Sequence, residues 1–109
     1  RARSFALGGP HTDEILSSYH VDKAIVSCKG LDLVSGITDY VEQDASSKRM
    51  MLRAARERIL AVDHTKFDTT AFTKVTDWSS FTKLVTDRKP KQKWLDEFER
   101  QQIECIYPE

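Results

Sequence analysis

Apolar residues in this chain fall into short runs separated by polar, turn-forming stretches, and the spacing within each run predicts its element. Phe5-Ala6-Leu7, ended by Gly8-Gly9-Pro10, reads as a strand. Thr12 or Asp13 then caps a helix carrying Ile15, Leu16 and Tyr19 on one face. Val21 to Cys28 is nearly continuous in apolar character, the pattern of a central strand covered on both faces by helices. From Lys29 to Tyr40 the chain is punctuated by Gly30, Asp32, Ser35, Gly36 and Asp39, which predicts a long loop leaving that strand. Met51, Leu52, Ala55 and Ile59 recur at helical spacing and predict a helix from about Glu42 to Glu57, with Arg49, Arg53 and Arg56 on its outer face.

Ile59 to Asp63 is a second short apolar run, ending in the polar turn from His64 to Asp68. Thr70 to Val75, Lys83 to Thr86 and Ile103 to Tyr107 read as further strands. Lys91 to Gln102 reads as a helix with Trp94, Leu95 and Phe98 on its apolar stripe. Strands alternate with helices, so the expected class is α/β, a mainly parallel sheet with helices on both faces.

Composition narrows the function. At 109 residues the chain has the size of one domain, and its moderate apolar content with few glycines and prolines is that of an ordinary globular protein. Seventeen basic residues balance seventeen acidic ones, so the net positive field that drives nonspecific DNA binding is missing. Cys28 and Cys105 are far apart and form no CxxC; a reducing, cytoplasmic setting is expected. No apolar run reaches the roughly 18 residues of a membrane span, and the start resembles no signal peptide.

Ligands of open α/β sheets bind beyond the carboxyl ends of the strands, which directs attention to Lys29–Tyr40 and His64–Asp68. Asp32, just past the expected central strand, could accept hydrogen bonds from ligand hydroxyls. Lys48 stands three, four and seven residues before Met51, Leu52 and Ala55, which puts it on the buried stripe of its helix. In an early turn of that helix it would join the free backbone N–H groups to make an anion site. Lys66 follows the second apolar run and points to the same sheet edge, so two lysines converging there would suit a phosphorylated ligand. The plainer alternatives are a snorkelling Lys48, a solvated Lys66 and His64, a turn-forming Asp32 and a solvated arginine face. His11, His20 and His64 are scattered without metal-ligand spacing, and no Gly-x-Ser-x-Gly, Walker or HExxH motif occurs. No metal, cofactor or catalytic residue is expected.

Taken in order, Gly9-Pro10, Asp22-Lys23-Ala24-Ile25-Val26, Gly30-Leu31-Asp32, Gly36-Ile37-Thr38, Lys48-Arg49-Met50-Met51, Asp63-His64-Thr65-Lys66-Phe67 and Leu84-Val85-Thr86-Asp87 resemble the C-terminal effector domain of DeoR-family transcriptional repressors. Order and spacing carry the resemblance over nearly the whole chain. It implies a Rossmann-variant fold related to ribose-5-phosphate isomerase, glucosamine-6-phosphate deaminase and CoA transferases, and a phosphorylated sugar or related metabolite as effector. Residues 1–109 would be the sensing domain, with ligand contacts at Gly30, Asp32, Lys48 and Lys66. Lys66 matches the lysine that lies near the substrate phosphate in such isomerases. The winged helix-turn-helix of a complete DeoR protein is not visible, nor is the strand–helix unit that opens its sensor domain. The chain is therefore expected to be truncated on its N-terminal side, with DNA bound only through the missing part and with homo-oligomers formed. The acidic cluster of the isomerases is replaced by Asp32 alone before Asp39, too little for acid–base chemistry at a sugar carbon. Two other readings stand beside the sensor: an isomerase- or deaminase-like enzyme with Asp32 as base, and an oligomerisation platform built on the arginine-bearing helix and an open sheet edge.

Overall fold

The computed structural model describes residues 20–109. The expected strand at Phe5 to Leu7 and the helix with Ile15, Leu16 and Tyr19 lie outside them. Two sheets organise the rest. Strands β1 (Val21–Val26), β4 (Ala55–Ala61), β6 (Lys83–Val85) and β7 (Glu104–Ile106) form a four-stranded sheet in the order β1-β4-β6-β7. Every pairing in it is parallel, as the alternating pattern predicts. A smaller antiparallel sheet, ordered β2-β3-β5, is made of β2 (Gly30–Asp32), β3 (Gly36–Asp39) and β5 (Thr73–Thr76). Helix α1 (Glu42–Ala54) precedes β4, and helix α2 (Gln92–Arg100) joins β6 to β7.

Four expectations change. Among the described residues β1 is an edge strand rather than a central one. Ala24, Val26 and Cys28 face the core, while Ile25 on the other face is 46% exposed. The expected loop from Lys29 to Tyr40 is a β-hairpin, because β5, far along the chain, pairs with β3 and supplies the third strand that a lone hairpin lacks. Gly36, with φ +83°, makes the turn between β2 and β3.

Helix α1 stops at Ala54 rather than Glu57, and β4 begins at the next residue. Neither Gly nor Pro marks the junction. The ladder with β1 starts there, at Val21 opposite Ala55 and Lys23 opposite Glu57, so sheet pairing captures residues whose spacing alone would extend the helix. Glu57 is then held between Lys23 at 3.9 Å and Lys83 at 2.5 Å. In α2 the buried positions are Trp94, Glu97 and Phe98, with Leu95 only half-buried. Glu97 is tolerated inside because Arg100 and Gln101 bond its carboxylate.

The core is continuous across both sheets and centres on rings. Trp94 and Phe98 of α2 meet Trp78 and Phe67, with the Trp78–Trp94 and Phe67–Trp94 centroids 5.3 and 5.0 Å apart in edge-on geometry. This cluster clamps the turn after β4 onto the smaller sheet, where Leu31 bridges Phe67 and the Thr69 amide donates to the Leu31 carbonyl at 3.1 Å. The carboxyl ends of β1 and β4 are thereby held beside the hairpin.

Candidate functional site

Lys48 points inward, as its spacing predicts, but for a different partner. Its Nζ donates to Asp39 Oδ2 at 2.6 Å, with only 20% of the Lys48 side chain and 3% of the Asp39 side chain exposed. The helix starts at Glu42, so Lys48 lies at its middle and not in an early turn, and the first turn already carries Glu42 and Asp44. The expected cooperation between Lys48 and the helix N-terminus is therefore absent. A carboxylate at the end of β3 takes that place, neutralising a cation that would otherwise be poorly solvated.

Lys66 closes a 3₁₀ turn, His64–Lys66, that begins directly after β4. Asp63 caps this turn, accepting the Thr65 amide at 2.8 Å on Oδ1, while Lys66 Nζ donates to its Oδ2 at 3.1 Å. The Thr65 hydroxyl, these bonds and the Lys66 charge hold the Asp63 carboxyl well below the usual carboxylate range. His64 is drawn to the other side, its amide and Nδ1 both bonded to Asp87 at 2.7 and 2.8 Å.

Cys28 lies just beyond β1, and its thiol donates to the Gly30 carbonyl at 3.5 Å. Burial pushes its thiol up to about 12, and the negative charge of Asp39 adds to the shift, while Lys48 and Lys66 both act in the opposite direction. The thiol stays protonated and is no nucleophile.

Asp32 stands apart from this group. Its Oδ2 accepts the amides of Val34 and Ser35 at 3.0 and 2.8 Å, the turn-forming role of such a residue, and the like charge acting on it is that of Asp68. Gly30 serves packing: a Cβ there would sit 2.3 Å from the Thr69 carbonyl oxygen, and its own carbonyl accepts the Thr38 hydroxyl at 3.1 Å. The structure thus pairs Lys48 with Asp39 and Lys66 with Asp63, two carboxylates that the sequence reading does not include among the site residues. The signal for Asp39 was available, since a lysine on a buried stripe requires a buried acid, and Asp39 is one of the few carboxylates close in sequence. Among the described residues no cluster of His, Cys, Asp and Glu could hold a metal ion, and no helix is long and apolar enough to cross a membrane.

Residues 1–88 match the family described as the DeoR C terminal sensor domain. The chain belongs to the DeoR C-terminal sensor domain family. Among its relatives, the HTH-type transcriptional repressor GlcR of Bacillus subtilis is 37% identical over 103 residues, 94% of this chain and 40% of that protein. The L-fucose operon activator of Haemophilus influenzae is 31% identical over 87 residues, 80% of this chain and 35% of that protein. The glycerol-3-phosphate regulon repressor of Escherichia coli is 26% identical over 90 residues, 83% of this chain and 36% of that protein. The chain thus spans about two fifths or less of the length of these relatives. The sensor domain and its relatives are regulatory by description, which sets aside the isomerase- or deaminase-like reading.

Proposed function

We propose that this sensor domain binds a phosphorylated sugar or a related phosphorylated metabolite at the carboxyl edge of its parallel sheet, and that binding controls DNA recognition by the regulator of which it is part. One observation carries the proposal: Lys48 is turned inward onto Asp39 at the end of β3, and Lys66 stands on the turn that follows β4, so each ammonium is held by a carboxylate on an element that leaves a strand. Each ammonium has three donors, of which Lys48 gives one to Asp39 and Lys66 gives its own to Asp63 and, at 3.4 Å, to the Thr65 hydroxyl. A phosphate would have to share these ammonium groups with Asp39 and Asp63, using the donors that the two ion pairs leave over. The name of one relative refers to glycerol 3-phosphate and that of another to a sugar, L-fucose; the first supports a phosphorylated ligand and the second a sugar-related one.

Control follows if the ligand favours one of two states of the whole regulator; a coupling of about 1–3 kcal/mol is typical of such switches. DNA is contacted by another part of the protein, in keeping with the zero formal charge of this chain, and the regulator works as a homo-oligomer. The test is binding of a panel of sugar phosphates to the intact protein and to its Lys48→Ala and Lys66→Ala variants. Loss of phosphosugar affinity in both supports the reading, and unchanged affinity in both removes this site.

A further inference from the structure

A second concentration of positive charge lies at the opposite edge of the parallel sheet. There, beside the start of β4 and ahead of β6, a cavity of about 410 Å³ is lined by Arg49, Arg53, Arg58, Thr76, Ser79 and Ser80. Its volume lies within the range of small-molecule sites. The three arginines play different parts. Arg49 is neutralised by Glu42 at 2.6 Å and donates to the Lys74 carbonyl at 2.8 Å, so it ties β5 to α1. Arg58 braces the wall: its Nε donates to the Ser80 carbonyl at 2.5 Å and its Nη1 to the Arg56 carbonyl at 3.0 Å. Arg53 is exposed and, among the described residues, its guanidinium contacts only the Met50 sulfur, at 3.5 Å.

The charge balance is decided by magnitudes. Arg53 and Arg58 bring two full positive charges with no carboxylate among the lining residues. Against them stands the carboxyl end of α1, worth roughly half a negative charge, part of which the Arg58 bond to the Ala55 carbonyl at 3.3 Å already absorbs. Arginine forks match phosphate oxygens in pairs, and hydroxyls can supply the remaining donors. Thr76 and Ser80 are bonded to each other at 2.6 Å, which leaves Ser79, exposed on the 3₁₀ turn Trp78–Ser80, as the adaptable hydroxyl. Buried Leu52 and Ala55 line the remainder.

We infer that this cavity is a second anion site, distinct from the carboxyl edge, which takes a phosphate-bearing small molecule through Arg53, Arg58 and Ser79. The cavity holds about 410 Å³ and the chain as a whole has zero formal charge, which favours a small ligand over a nucleic acid. Arg58 also links the site to the sheet: its amide donates to the Thr82 hydroxyl at 3.0 Å, and its carbonyl accepts the Thr82 amide at 2.8 Å. Occupation would therefore stiffen the junction of β4 and β6.

The experiment is a titration of the protein with pyrophosphate, followed by amide NMR at constant ionic strength. Saturable shifts are expected at Arg53, Ser79 and Ser80. Arg53→Gln, at an exposed position that leaves the fold intact, should weaken the binding about tenfold or more, the loss of one charge-assisted contact. Ser79→Ala should weaken it less, and Lys66→Ala should leave it unchanged. Shifts that do not saturate, that persist undiminished in Arg53→Gln, or that are confined to the surroundings of Lys48 and Lys66 would overturn the inference. So would saturation by an acidic polypeptide but not by pyrophosphate.

Discussion

The two edges of the parallel sheet handle positive charge in opposite ways. At the carboxyl edge each lysine is matched to an aspartate, Lys48 to the buried Asp39 and Lys66 to the turn-capping Asp63. At the amino edge one arginine is matched to Glu42, while Arg53 has no acidic partner among the described residues and Arg58 bonds only backbone carbonyls there. The difference teaches that the carboxyl edge is fixed in advance. Its cations are aimed by the fold, and removing their partners costs stability, whereas the amino edge keeps a charge that the fold does not need.

The sharpest way to break this contrast is Asp39→Ala. It leaves the Lys48 ammonium mostly buried and unpaired, so the protein should lose about 3–5 kcal/mol in denaturant unfolding. The double variant Asp39→Ala with Lys48→Met should recover much of that loss. If Asp39→Ala alone unfolds like the wild type, the pair is not structural.

The buried Cys28 thiol offers the next effect. The ordinary cysteine value is 9.0 and the folded value about 12, so the folded state holds its proton more tightly than the unfolded one. The corresponding stability is complete below pH 9 and lost as pH rises toward 12. By pH 10.5 the loss should amount to about 2 kcal/mol. Cys28→Ala should flatten that part of the alkaline unfolding curve relative to wild type. Parallel curves would show that Cys28 is not buried as described.

Much of this arrangement could be read from residue order. Lys48 faces inward because helical spacing aligns it with Met51, Leu52 and Ala55, and Lys66 sits at the sheet edge because a loop leaving a parallel strand must pass there. The strands β6 and β7, the second half of β4 from Ile59 and the helix α2 are visible as apolar runs with the right periods. What could not be read depended on residues distant in sequence. The hairpin of β2 and β3 is stabilised by β5 across the chain, the end of α1 is set by pairing with β1, and Asp32 and Gly30 turn out to serve a turn and a close backbone approach. From the sequence Asp39 reads as a turn residue, because its partner Lys48 lies on the following helix and periodicity describes one element at a time.

Smaller effects sharpen the same comparison. Lys66→Ala should cost about tenfold or more in phosphosugar affinity, roughly 1.4 kcal/mol, with a smaller change in stability than Asp39→Ala produces, because this lysine and its aspartate are partly solvated. Calorimetric titration and thermal melting of the same variant separate the two quantities. Smallest of all is the effect of Arg53→Gln on folding, expected within about 0.5 kcal/mol of wild type because the residue is exposed. A larger loss would mean that the amino edge, too, is held together by its charges.

The central claim, that the carboxyl edge senses a phosphorylated sugar, is tested most directly by thermal unfolding of the intact protein against a panel of sugar phosphates and their unphosphorylated counterparts. A ligand that binds only the folded state raises the melting temperature by mass action. The account predicts a rise with at least one phosphosugar, no rise with the same sugar lacking its phosphate, and loss of the rise in the variant lacking both Lys48 and Lys66. A panel without any rise, or a rise given equally by the free sugar, would contradict it.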